Sequence, residues 1–117
     1  MQYLLLIYSD EAAEPKPGTP EMEQHMQAYF TFTEEVRESG KMLGGEALEP
    51  VATATSVQVR DGKVTTTDGP FAETREQLGG FYMVDCDNLD EAIALAARIP
   101  SARLGTVEVR PVMMFDN

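Results

Sequence analysis

The run Tyr3-Leu-Leu-Leu-Ile-Tyr8 constrains the fold more than any other stretch of this chain. It is unbroken and apolar, and it stops at the polar stretch Ser9 to Gly18, which carries two prolines. A strand of this kind presents large apolar groups to both faces of a sheet. Phe81-Tyr-Met-Val84 does the same later in the chain. Only two segments read as amphipathic helices, and two helices cover one face. The other face therefore needs a partner. With no residues left to build another layer, the expected solution is a second copy packed sheet against sheet, a symmetric homodimer.

The remaining elements are legible from their boundaries. Thr19-Pro20-Glu21 supplies an N-cap, a proline at the first helical position and an early acidic residue. Met22, Met26, Tyr29, Phe30, Thr33 and Val36 follow at helical spacing, and the helix is expected to end near Gly40. Met42 to Pro50 reads as a strand interrupted by Gly44-Gly45. Ser56–Arg60 and Lys63–Thr67 alternate about Asp61-Gly62, a preferred two-residue hairpin turn. Asn88 with Glu91 resembles a capping box for a second helix, whose apolar positions are Leu89, Ala92, Ile93, Ala96 and Ile99 and which Pro100 closes. Thr106–Arg110 is a last alternating strand. The order predicts an α+β fold, a ferredoxin-like βαββαβ plan with an inserted β-hairpin, in a single domain over residues 1–117.

Composition narrows the function classes. Nine basic residues against twenty acidic ones give a formal net charge of −11, which repels phosphates and anionic lipid surfaces. No nucleic acid and no membrane is expected as a partner, although a few arginines can still hold an anion locally. Cys86 is the only cysteine and His25 the only histidine, so neither a disulfide framework nor a zinc motif can be built. No metal and no cofactor is expected. The N-terminal apolar run lacks a basic segment and is too short for a signal peptide, and a reducing, cytoplasmic setting is the expectation.

The chemistry concentrates in Asp68-Gly-Pro-Phe-Ala-Glu-Thr-Arg-Glu-Gln-Leu-Gly-Gly-Phe81. Asp-Gly-Pro is first of all turn chemistry, in which the carboxylate accepts backbone amides. The same Asp68 is suited to orient the imidazole of His25, which borders the apolar stripe of the first helix and is suited to general acid or base work. Phe71 offers an apolar wall, Glu73 and Glu76 offer acceptors, and Arg75 offers a planar cation for a carboxylate or phosphate, each also readable as ordinary surface. Gly79-Gly80 makes either a bulge or a place where a ligand approaches the backbone closely. Arg110 is a second candidate anion clamp. Cys86 lies between Asp85 and Asp87, where negative charge suppresses the thiolate.

Taken together, the opening Tyr-Leu-Leu-Leu-Ile-Tyr, Gly44-Gly-Glu-Ala-Leu48, Val59-Arg-Asp-Gly-Lys63, Asp68-Gly-Pro-Phe-Ala-Glu-Thr74, Glu76-Gln-Leu-Gly-Gly-Phe-Tyr82, Ala97-Arg-Ile-Pro100 and Val107-Glu-Val-Arg-Pro111 resemble the DGPF-type, YCII-related proteins over nearly the whole chain. The resemblance implies a dimeric α+β barrel of two ferredoxin-like subunits. It also implies small-molecule catalysis through a histidine and aspartate pair, for which His25 and Asp68 are the matching positions. In similar sequences the basic residue after Thr74 is usually lysine, and Arg75 stands here, so a role needing a primary amine is not implied. Two function classes follow. One is a metal-free enzyme of isomerase or lyase type acting on a small anionic metabolite, with catalytic His25 and Asp68 and with Phe71, Glu73, Arg75, Gly79, Gly80 and Arg110 binding substrate. The alternative is a non-catalytic, ligand-binding or regulatory dimer linked to an extracytoplasmic-function sigma factor.

Overall fold

The computed structural model describes residues 1–115. The elements run β1 (Gln2–Ser9), α1 (Pro20–Glu38), β2 (Met42–Ala47), β3 (Thr55–Arg60), β4 (Lys63–Asp68), β5 (Gln77–Asp85), α2 (Leu89–Arg98) and β6 (Thr106–Pro111). Strands β2, β5, β1 and β6 form an antiparallel sheet in that spatial order, while β3 and β4 pair only with each other. This is the ferredoxin-like connectivity with a hairpin inserted ahead of β5, as the order of sequence signals predicts.

Local chemistry fixes the ends of these elements. The Thr19 hydroxyl accepts the Met22 amide at 3.2 Å, Pro20 occupies the first turn, and Arg37 sits in the last turn of α1, where a cation complements the helix dipole. The Asn88 side chain accepts the Glu91 amide at 2.9 Å. In return the Glu91 carboxylate accepts from Asp87, one residue farther out than a standard capping box requires. Asp61 and Gly62 both have positive φ, at 52° and 76°, the left-handed pair that a tight hairpin turn demands.

Side chains of β1 alternate in burial. Tyr3, Leu5, Ile7 and Ser9 are buried beneath the helices, and the intervening Leu4, Leu6 and Tyr8 are only half-buried on the opposite face. Val84 of β5, Phe32 and Val36 of α1, Ala92, Leu95 and Ala96 of α2, and Ile99 just past its end complete the core with Cys86. Both helices thus cover one face of the sheet, and the other face lies open.

Three expectations change in detail. First, β2 runs through Gly44-Gly45 and takes up the irregularity as a register shift between Met42 and Gly44. Second, β5 begins at Gln77 and not at Phe81, so the Gly79-Gly80 pair lies inside the strand, with a register shift opposite Ile7 and Tyr8. Third, the helical stripes turn. In α2 the buried arc is Ala92, Leu95 and Ala96, with Ile99 buried at the cap, leaving Leu89 and Ile93 about half exposed, because at ~100° per residue Ile93 falls well outside that arc. In α1 it is Phe32 and Val36 that reach the core, whereas Met26 and Phe30 remain exposed to a cleft. Among the described residues no helix is long and apolar enough to cross a membrane.

Candidate functional site

The cleft is a consequence of that rotation of α1. Met26, Phe30, Thr33 and Arg37 follow at spacings of four, three and four, which places them on one side of the helix, away from Phe32 and Val36. Across from them stand Gly80 and Tyr82 of β5, Gly45 of β2 and Ile7 of β1, and Ser101 comes from a short 3₁₀ turn at Pro100–Arg103. The enclosed volume is about 680 Å³, within the usual range for small-molecule sites.

Glycine is required on the sheet side of this cleft. A Cβ on Gly80 would stand 2.8 Å from the carbonyl oxygen of Glu46, so β2 can lie against β5 here only if Gly80 has no side chain. Gly79 has nothing within 4 Å of the same position and is free of that constraint. The glycine pair therefore combines a strand irregularity with a close approach of two backbones, and it leaves the cleft wall low.

Paired hydroxyls hold the polar side chains in place. The Tyr29 phenol donates to Ser101 Oγ at 2.6 Å, and Thr33 Oγ1 and Tyr82 Oη lie 2.7 Å apart in a second hydrogen bond. Phe32 packs edge-on against the Tyr82 ring at 5.3 Å between centroids, which fixes that ring from the core side. The Ser9 hydroxyl donates to the Glu14 carboxylate at the far end of the cleft. Burial pushes the Tyr29 phenol above its ordinary pKa of 10.0, outweighing the opposing effect of the Ser101 bond, and the nearby Tyr82 and Glu14 add to the rise. Tyr29 is consequently a protonated donor at neutral pH. Glu14, Glu34 and Glu46 line the cleft with Arg37 as the sole cation among the lining residues.

The residues singled out in the sequence are distributed differently. His25 is half-buried on α1 with its ring edge-on to Tyr29 at 5.1 Å, beside the cleft and not in its lining. Asp68 ends β4 opposite Thr55 and is exposed. Among the described residues no hydrogen bond or ion pair joins it to His25. Phe71 is 81% exposed, and Glu73 and Arg75 are exposed in the same loop. Glu76 accepts a hydrogen bond from Thr106 at 2.9 Å, tying that loop to β6. Arg110 pairs with Leu4 in register and so lies on the open face, where it meets Glu108 at 3.4 Å. Of the proposed set, Gly79 and Gly80 line the cleft. Cys86 is buried, and its thiol is pushed up in pKa by that burial first and by Glu91 second.

Tyr29, Tyr82, Ser101, Glu14 and Arg37 were not reached as site residues by sequence reasoning. The signal available was the Met26-Phe30-Thr33-Arg37 spacing, a helical stripe that ends in a cation where a core stripe would end in an apolar residue.

Comparisons with known proteins agree with this architecture. The chain is 36% identical over 117 residues to an uncharacterised protein of Rhizobium meliloti (strain 1021), covering 98% of this chain and 94% of that one. Among solved structures, it is similar to 5-chloro-2-hydroxyhydroquinone dehydrochlorinase from Burkholderia phenoliruptrix AC1100, in complex with 2,5-dihydroxybenzoquinone. The TM-score is 0.52 at 14% identity, with 97% of this chain and 94% of that chain covered, a likeness of fold. The model of the YCII-related domain matches residues 1–116, and with it the chain belongs to the YCII-related domain family.

Proposed function

We propose that the protein is a small-molecule enzyme of lyase or isomerase type whose active site is the cleft between α1 and the β2–β5 side of the sheet. The observation that carries this reading is the convergence of two phenols, each fixed by a side-chain hydroxyl, with three carboxylates and a single guanidinium around one 680 Å³ space. Such parts perform acid–base chemistry. Glu14 takes a proton from carbon, Tyr29 gives one to the departing or rearranging oxygen, and Arg37 holds an anionic group of the substrate. His25 acts as a positioning residue, packed against the Tyr29 ring. The substrate class is a small organic acid, lactone or hydroxylated ring. That the structural neighbour is a dehydrochlorinase in complex with 2,5-dihydroxybenzoquinone supports small-ring chemistry in this fold.

The working form in this reading is a homodimer. Leu4, Leu6, Tyr8, Phe81 and Met83 are half-buried, and strand register places Leu4 with Met83 and Leu6 with Phe81 on the face that the helices leave open. A contiguous apolar face of this kind is covered in an assembled protein.

A panel of small carboxylates, lactones and dihydroxylated rings, assayed for binding by thermal shift and for turnover by mass change, tests the reading. Conversion lost in both Tyr29→Phe and Glu14→Gln, with melting behaviour intact, is the expected result. Binding without conversion of any panel member would favour a non-catalytic ligand-binding dimer. Loss in His25→Ala and Asp68→Asn, with Tyr29→Phe fully active, would move the chemistry to the histidine and aspartate pair.

A further inference from the structure

The cleft does not end at Glu14. A second cavity of about 350 Å³ lies beyond it, and Ser9, Glu14 and Gly79 line both spaces as a shared rim. Met22, which lines the second cavity, stands one turn ahead of Met26, which lines the first. A single side of α1 therefore roofs the two.

The two spaces differ in chemistry. The cleft is furnished with phenols, hydroxyls and charge, whereas Pro15, Pro17, Met22, Leu48, Pro50 and Leu78 wall the second cavity. Proline side chains lose almost no freedom on being ordered, so much of this wall is set before any ligand arrives. The segment between β1 and α1 is also tied down. Its Glu11 carboxylate accepts the Val51 amide at 2.9 Å, joining it to the chain that follows β2, and its Glu14 carboxylate is held by the Ser9 hydroxyl. Of the remaining lining residues Lys16 and Glu49 are exposed, whereas Met22 and Leu78 are half-buried.

Gly79 is the saddle between the two spaces. In the pairing with β1, Gly80 lies opposite Ile7 and Leu78 opposite Tyr8, so Gly79 is the extra residue of a bulge. A Cβ there would meet nothing within 4 Å, and its φ lies outside the left-handed region. Neither packing nor backbone conformation therefore requires glycine at this position. What the missing side chain provides is an open way over the rim.

We propose that the two cavities are one elongated site, in which the polar ring of the substrate sits at Tyr29 and Glu14 and a hydrocarbon substituent of that ring passes over Gly79 into the second cavity. The substrate class is accordingly a hydroxylated ring or lactone that bears an alkyl side chain, and Gly79 and Leu48 determine that specificity. A hydrocarbon group is the favoured occupant because the walls beyond the rim are apolar and the only way in from the cleft is over a residue with no side chain. The inference rests on the reading of the cleft as the active site.

Isothermal titration calorimetry with two matched pairs tests it, catechol against butylcatechol and γ-butyrolactone against γ-octalactone, the members of each pair differing by one butyl group. The proteins are the wild type, Leu48→Asp, Gly79→Leu and Tyr29→Phe, with melting curves to check folding, and the readout is the ratio of dissociation constants within a pair. The expected result is a butyl member bound at least ~10-fold tighter than its parent by the wild type, that gain lost in Leu48→Asp and in Gly79→Leu, and parents bound more weakly by Tyr29→Phe. A gain retained in either cavity variant, or absent from the wild type while Tyr29→Phe still weakens the parents, overturns the extended site and leaves the cleft standing. Parents that bind Tyr29→Phe as well as the wild type, or no binding by any of the four compounds, overturn the cleft reading and the extension with it.

Discussion

The two sides of the sheet are built on opposite terms. Beneath the helices, Tyr3, Leu5 and Val84 are almost wholly enclosed and polar groups are matched, so that among the described residues no buried side-chain nitrogen or oxygen lacks a partner. On the other side, half-covered Leu4, Leu6 and Phe81 lie open, and the hairpin adds three exposed valines. The lesson is that one side of this chain is finished by its own helices, whereas the other is left uncovered within a single chain. The cleft opens on the helix side, over Ile7, Gly45, Gly80 and Tyr82.

The contrast should be largest in stability. Leu5→Ala in the enclosed core is expected to cost ~2–5 kcal/mol in urea unfolding, from lost transfer energy and the cavity left behind. Val59→Ala on the hairpin should change monomer stability by less than about 0.5 kcal/mol. Comparable losses would mean that the hairpin is packed within one chain, and the distinction between the two regions would collapse.

A smaller effect sharpens the helix side itself. Gly80→Ala puts a methyl group 2.8 Å from the Glu46 carbonyl, and an overpacking cost of ~1–3 kcal/mol is expected. Gly79→Ala meets nothing within 4 Å and should be nearly silent. Chemical denaturation of the two variants side by side measures the difference.

Much of this was legible beforehand, and the reasons are local. Thr19, Asn88 and the Asp61-Gly62 turn announce themselves because a cap or a tight turn is decided within four residues. The run Tyr3–Tyr8 showed an uncovered face because its alternation admits no polar side. The start of β5 was hidden, since Gln77 to Gly80 carries the composition of a loop and becomes a strand only through pairing with β1 and β2. The choice of Phe32 over Phe30 as the core residue of α1 was hidden too, because both positions fit a helical stripe and the docking angle decides between them. The site was least legible of all. Tyr29 and Ser101 are 72 residues apart and Thr33 and Tyr82 are 49 apart, and no short motif encodes such pairs.

Two milder effects follow from titration and capping. Tyr29 has its pKa raised in the folded state, so its contribution to stability is complete below the unfolded value near 10 and is lost as pH rises through the folded value. Melting temperature should therefore fall on raising pH above 10, and fall less steeply in Tyr29→Phe. Asn88→Ala removes the cap of α2 and should cost ~1 kcal/mol, read in the same denaturation series. Both changes lie on the helix side of the sheet and should leave the oligomeric state, read by sedimentation, unchanged.

The central claim is that small molecules are handled in the cleft and not at the Asp68–Arg75 loop. Backbone amide chemical-shift mapping with a ligand found in the panel tests this most directly. Shifts concentrated at Tyr29, Thr33, Ala47, Gly80, Tyr82 and Ser101 are the predicted result. Shifts confined to Asp68, Gly69, Phe71 and Arg75, with those cleft amides unmoved, would contradict it.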